Sequence, residues 1–288
     1  MGKISEQLIR KFENYRLDKI IDLSEFQYIK EFISELDSGL QKIRWDEEVD
    51  PSHSIYIQVQ NVLSVFSEQA SGLDEFDEYY RKLEEFDQAF MPSYPPMSPI
   101  TVSYFTWFFL CDFRFGKHKE TMSTIFRDLG LKFEYDALFL KAVDNLVDSS
   151  MRFYKNLGVK DNLLELVDIM TGAKVLCVNT SKYLGNPDEI WFVRLVPNLD
   201  LQYDYKVMLN TPYIVVKQNE KDWIDYYKRN GIRKNELGND VKIRNHMKFH
   251  ANHKYWHNYI LDSYLNHESN CIYLTGIPDI KGSKPHEM

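Results

Sequence analysis

Residues 163–178 read LLELVDIMTGAKVLCV. Two short apolar runs, Leu163–Ile169 and Lys174–Val178, flank Thr171-Gly172. Such runs around a glycine-containing turn predict a β-hairpin, because glycine supplies the positive φ that a tight reversal requires. Downstream, Asn186-Pro187-Asp188 leads into a third run, Glu189–Val196. A strand has a two-residue period, so Ile190, Phe192 and Arg194 face one way and Trp191, Val193 and Leu195 the other. Tyr205–Leu209 and Tyr213–Val216 add two more candidates. The expectation is a small antiparallel β module at residues 159–216, a compact barrel or curled sheet.

Helical spacing rules on both sides of this module. Leu8–Leu17 is followed by Ser24–Ile43, where Phe26, Ile29, Ile33, Leu36, Leu40 and Ile43 form one stripe and Ser24 with Gln27 forms a capping box. Ile55–Gln69, Leu73–Phe90, Thr101–Phe113 and Thr121–Leu129 continue the pattern, and Met91–Pro99, with four prolines in nine residues, reads as a connector. Tyr135–Leu157 predicts one long helix with Leu138, Ala142, Leu146 and Met151 inward, ending near Gly158. Asp222–Asn230 and Asp240–Leu265 restore helix after the β module. The fold class is therefore α+β and mainly helical. Its expected parts are a helical domain at 1–158, the β module at 159–216, a helical segment at 217–279 and a flexible tail at 280–288.

Composition narrows the setting. The chain has 288 residues, 44% hydrophobic and 27% charged, enough to bury a full core. Aromatic residues reach 15%, which reads first as aromatic packing layers. The net charge of -8 is unevenly spread. Residues 1–100 carry ten Lys/Arg against twenty Asp/Glu, while residues 217–257 carry ten against five. A basic end joined to an acidic beginning predicts mutual attraction within the fold or a homodimer, or a surface for anions. Three separated cysteines, Cys111, Cys177 and Cys271, suit a reducing compartment and exclude a disulfide framework. The first thirty residues are too charged for a signal peptide, and the apolar stretch Ile100–Cys111 is too short to span a bilayer. The chain is expected in the cytoplasm, with no membrane partner.

Four of the eight histidines, His246, His250, His253 and His257, fall in NHMKFHANHKYWHN at 245–258. Gaps of four, three and four place them on one side of a helix, if the helix runs unbroken. Imidazoles on adjacent turns chelate Zn or another divalent metal, although one straight helix cannot close a tetrahedron. Asp262, His267 or Glu268 would have to complete it. Met247 stands where a zincin has its glutamate, so hydrolysis of that kind is unsupported. The competing reading puts Phe249, Tyr255, Trp256, Tyr259 and Ile260 in the core, with histidines and lysines on the solvent side.

Two further places carry polar groups among aromatics. Asp112 and Arg114 lie beside Cys111 and His118, and a carboxylate in so apolar a helix needs a cation or water. Arg194, beside Trp191, is expected to pair with Asp168 across the hairpin sheet. With Trp107, these residues (Asp112, Arg114, Asp168, Trp191, Arg194) make the candidate interface.

The same residues carry a resemblance. The segments Trp107-Phe108-Phe109-Leu110-Cys111-Asp112, Ser149-Ser150, Asp168-Ile169-Met170-Thr171-Gly172 and Asp188–Pro197 resemble the grammar of uncharacterised bacterial proteins that often end in the zinc-binding motif also found at the SecA C-terminus. The resemblance covers about residues 97–200. The terminal motif itself is missing, since Cys271 stands alone near the end, so no SecA-linked zinc chemistry carries over. The resemblance lends no activity.

The absence of a nucleophile–base pair, a phosphate loop or a metalloprotease signature makes a non-enzymatic adaptor or protein-interaction protein the leading expectation. The alternatives are a metal-dependent enzyme or metal-binding protein using the four histidines, and a nucleic-acid-binding protein using residues 217–257. Metal analysis of the untagged protein checks the first alternative: no metal retained after chelator-free purification, and none bound on titration, removes it.

Overall fold

Asp50 opens the second of the described helices by accepting the backbone N–H of His53 at 2.9 Å, with Pro51 in the first turn, where its missing N–H is no loss. A computed structural model describes residues 3–16, 50–91, 97–200, 202–236, 238–250 and 252–286. The predicted helix Ser24–Ile43 lies outside the described residues. The chain divides into two compact units, one of residues 1–86 and 109–148, the other of residues 87–108 and 149–288.

The first unit holds α1 (Ile4–Arg16), α2 (Pro51–Ala70), most of α3 (Asp77–Phe90), α5 (Met122–Lys132) and α6 (Ala137–Asp148). Its core is aromatic: Phe66 meets Phe126 edge-on at 5.2 Å, and Tyr79 packs among Phe109, Phe113 and Phe115. The buried Glu120 carboxylate accepts the N–H groups of Ile4 at 2.7 Å and Ser5 at 3.2 Å. A negative charge there satisfies orphan donors and complements the helix dipole. The expected helix Thr101–Phe113 is instead α4 (Met97–Trp107) followed by a π-helical turn at Phe108–Asp112.

The long helix predicted over Tyr135–Leu157 is corrected. α6 stops at Asp148, and after Ser149-Ser150 the chain becomes a strand, β1 (Met151–Lys160). Phe139, Ala142, Val143 and Leu146 are the buried residues of α6, while Leu138 is 41% exposed. Beyond Ser150, strand pairing of Met151–Lys155 with β4 overrides the helical spacing.

The second unit is α4 with β1, β2 (Leu163–Asp168), β3 (Lys174–Val178), β4 (Ile190–Pro197), β5 (Lys206–Met208), β6 (Tyr213–Val216), α7 (Glu220–Arg229), α8 (Asn239–Phe249), α9 (Tyr255–Ser263), β7 (Tyr264–His267) and β8 (Ile272–Thr275). The fold is α+β with a barrel-like β module, as expected. The sheet runs β1-β2-β3-β5-β4-β6-β8-β7, and β1 also pairs with β4. The first five strands therefore close into a ring. The sheet is mixed rather than antiparallel, because β3–β5 and β6–β8 are parallel.

Register sorts the two faces. Tyr154 sits opposite Trp191, and both enter the barrel interior with Leu164, Leu166, Cys177, Val193 and Met208. Phe153 sits opposite Phe192 on the outer face, their rings stacked at 4.6 Å. Trp223 of α7 stacks on Phe153 at 3.6 Å, and Trp256 of α9 leans on Phe192 at 5.5 Å. Near the end of β1, Gly158 takes φ +105° where the β1–β2 register shifts, and its N–H donates to Asn156 Oδ1 at 2.8 Å. That bulge bends the strand as barrel closure requires.

Truncating the central ring tests this packing. Trp223 is fully buried, so Trp223→Ala is expected to destabilise the chain by about 3–5 kcal/mol. Denaturant unfolding followed by fluorescence measures it.

Candidate ligand-binding site

On the outer face of the hairpin, Glu165 lies opposite Leu176 and Val167 opposite Lys174, and all four side chains remain at least partly exposed. A cleft opens on this face, lined among others by Lys160 at the end of β1, Glu165 and Lys174, Leu176 of β3, Tyr205 and Lys206. Lys174 and Glu165 lie 3.6 Å apart. The β4–β5 loop forms one wall and is shaped by its own polar side chains. Asn198 Oδ1 accepts the N–H of Asp200, and Asp200 Oδ1 accepts that of Gln202, each at 2.9 Å. These Asx turns hold Tyr203 out at 59% exposure, its ring 6.1 Å from that of Tyr205. Sequence reading missed this loop; its signal was the run Tyr203-Asp204-Tyr205-Lys206, an aromatic–charged alternation just ahead of a predicted strand.

The four histidines do not share a helix. α8 ends at Phe249, His250 has φ -44° and ψ 152°, and α9 begins at Tyr255. The expectation of one helix from 240 to 265 is thereby overturned: the backbone leaves the helix at His250, residues 253–254 form a turn, and β7 takes over at Tyr264. Only His246 and His250 come together, with ring centroids 4.9 Å apart. His246 Nε2 and the Tyr226 hydroxyl are 2.8 Å apart, Tyr226 and Tyr255 hydroxyls 3.1 Å, and the His250 ring stacks on Tyr255 at 3.6 Å. His253 is exposed. His257 is boxed by Phe108, Tyr104 and Phe90 at 4.6, 4.8 and 4.9 Å. Among the described residues, no group of three or more His, Cys, Asp or Glu converges as a metal site.

Burial pushes the His246 imidazole down to about 4, with His250 adding to the effect, and pushes His257 down to about 3 against the opposing carbonyl of His253. His250 is also lowered by burial. These rings are neutral core and network members: the aromatic part of the packing alternative fits Trp256, Tyr259 and Ile260, but His257 and Lys248 are buried rather than on the solvent side. Trp256, Tyr259 and Ile260 are buried beside them.

The remaining candidates are placed as follows. Trp107 is buried and donates its indole N–H to the Leu209 carbonyl at 3.2 Å. Asp112 is buried at the end of the π-helical turn, and burial lowers the pKa of nearby Arg114. Asp168 Oδ1 accepts the N–H groups of Met170 and Thr171 at 2.9 Å, so it shapes the hairpin turn. Its cation is Arg152, at 3.1 Å, not Arg194 as expected. Arg194 is fully buried and donates from Nη1 to Ser149 Oγ at 2.9 Å. Trp191 donates to Glu189 at 3.1 Å. In the second unit these groups hold the barrel's frame. The thiols of Cys111, Cys177 and Cys271 are all buried, and burial pushes Cys177 up to about 12.

A strand order of β1-β2-β3-β5-β4 closed on β1 is that of an OB-type barrel, a Greek-key architecture whose β2–β3 face and flanking loops take oligonucleotides and oligosaccharides in many proteins. The class is thus a helix-bearing protein with a five-stranded Greek-key barrel. Comparison with known proteins finds no matching family model, no matching curated protein and no matching solved structure.

The buried histidines make stability depend on pH. Each stays neutral in the folded chain but binds a proton near pH 6.5 once unfolded, so acid favours the unfolded state. Their contribution is full above pH 6.5 and falls through the window down to about 4 for His246 and about 3 for His257. The slope is about 1.4 kcal/mol per pH unit for each ring. Unfolding curves between neutral and acid pH check this, and His257→Leu is expected to flatten the slope.

Proposed function

We propose that this chain is a non-enzymatic binding protein of the cytoplasm whose barrel is the recognition element, with the β2–β3 face and the β4–β5 loop meeting the ligand. One observation carries the reading: a closed barrel of OB-type strand order bears its cleft on that face. Architecture alone does not assign a function, so the weight rests on the cleft and its side chains.

Other features support the same conclusion. A buried thiol with a raised pKa is a poor nucleophile, and a neutral histidine inside an aromatic box has no room to serve a substrate. In the basic segment 217–257, Arg229 pairs with Asp279 at 2.8 Å, Lys234 with Glu220 at 2.7 Å and Lys242 with Glu236 at 3.6 Å. Part of that charge is answered within its own unit, which favours the barrel face over this segment as the contact surface. None of the described helices is long and apolar enough to cross a membrane.

Site-specific photo-crosslinking in cells tests the assignment. A crosslinker at Lys174 is expected to capture a partner, whether protein, second copy or nucleic acid, while one at the exposed Lys228 of α7 is not. Capture from Lys228 alone, or from neither position, would sink the reading.

A further inference from the structure

Two of the four histidines still meet, and what holds them differs from one ring to the other. His246 sits in the last turn of α8 and His250 directly after Phe249, so the four-residue spacing brings their rings to one side. The ring of His246 is fixed from α7. Its Nε2 lies 2.8 Å from the Tyr226 hydroxyl, which in turn lies 3.1 Å from that of Tyr255. Its Nδ1 takes no hydrogen bond among the described residues. His250 takes none through either ring nitrogen, although its Nδ1 is buried. That ring is held by its face instead, stacked on Tyr255 at 3.6 Å.

A buried imidazole nitrogen without a partner forfeits the hydrogen bond it makes in water. Ring packing accounts for the distance between the two imidazoles but not for nitrogens left unanswered. A transition metal answers them. Two imidazoles on one tetrahedral zinc, with Zn–N bonds of about 2.0–2.1 Å, place their ring centroids about 5 Å apart. The observed separation is 4.9 Å, with the planes inclined at 72°. Burial also keeps both rings unprotonated at neutral pH, so no proton competes for their lone pairs. Neither ring is fully buried, which leaves the pair open to solvent.

We propose that His246 and His250 form a two-imidazole chelate for a divalent first-row transition ion such as zinc, with His246 binding through Nδ1. Tyr226 is then a positioning residue. With the metal on Nδ1, the Nε2–H of His246 donates to the Tyr226 oxygen, and the Tyr226 hydroxyl donates to that of Tyr255. Such a clamp fixes the tautomer and the ring plane of a metal-bound histidine. Among the described residues no third His, Cys, Asp or Glu converges here, so water or an external donor completes the coordination sphere. Two protein ligands hold an ion less tightly than four, so the metal exchanges during purification and is read by titration. No residue of the barrel cleft takes part, and the two sites stand or fall separately.

Calorimetric titration of the untagged full chain tests the chelate. One zinc ion per chain is expected, with cupric ion tighter and magnesium unbound. His250→Gln alone, and His246→Gln combined with His250→Gln, are each expected to abolish the zinc isotherm. His253→Gln, at an exposed position, leaves it unchanged. Tyr226→Phe is expected to weaken zinc about tenfold. Thermal melts show whether each variant is folded. Long-range proton–nitrogen NMR spectra of the unaltered chain need no variant: zinc is expected to perturb the rings of His246 and His250 and to leave the Nε2–H of His246 in place.

A chain that gives no saturable zinc isotherm overturns the proposal. So does an isotherm that survives the double substitution, one that is lost on His253→Gln, or zinc shifts confined to other histidines. If Tyr226→Phe binds zinc as the unaltered chain does, the chelate stands and the positioning role falls.

Discussion

The pairing of β1 with β4 organises the second unit. It sets Phe153 against Phe192 and Tyr154 against Trp191, and a slip of one residue would exchange both pairs between faces. With the observed register, the inward pair joins the buried core cluster, and the outward pair gives Trp223 and Trp256 a surface to pack on. Removing apolar rings from water on both sides of the same strand pair stabilises the closure twice over. The buried Arg194, donating to Ser149 just before β1, ties the start of one strand to the other.

Closure also decides which side of the barrel remains available. Over Phe153 and Phe192, α7 and α9 lay down tryptophans, so that side is sealed. Among the described residues the β2–β3 side has no such cover: its outward residues are Glu165, Val167, Lys174 and Leu176, none of them fully buried. A sheet face with alternate charged and aliphatic residues is stable in water without a partner. The cleft lies there because the helices spend their aromatic residues elsewhere.

Much of this was legible in the sequence, and the parts that were not have identifiable causes. β2 alternates with a two-residue period, and β3, β4, β5 and β6 are short runs bounded by turn residues, so they could be read directly. β1 could not, because the four-residue spacing of Leu138, Ala142 and Leu146 was extended to Met151, five residues further on, where long-range pairing with β4 takes over. The histidine helix failed for the opposite reason: the spacing is real, but the backbone leaves the helix at His250, and its imidazole lies on the Tyr255 ring instead. The exchange of Arg194 for Arg152 at Asp168 follows from β1 as well. With β1 read as helix, Arg152, two residues before the Tyr154 that lies opposite Asp168, could not be seen as its partner.

The same topology argues for recognition by side chains rather than by strand addition. An open sheet offers its edge N–H and C=O groups to an incoming strand, and a closed ring has no such edge. Here β2, β3, β5 and β4 each have neighbours on both sides, and β6 is flanked by β4 and β8. Among the described strands, β7 at the end of the extension is the outer edge. It has only four residues, with Leu265, Asn266 and His267 exposed, too short to template a stable addition. What the barrel presents to a partner is therefore its face: a fixed lattice of side chains on β2 and β3, with a loop whose Asx turns hold two rings beside it. Rigid strands supply the positions and the loop supplies the chemistry, a division that lets the cleft bind without any rearrangement of the fold.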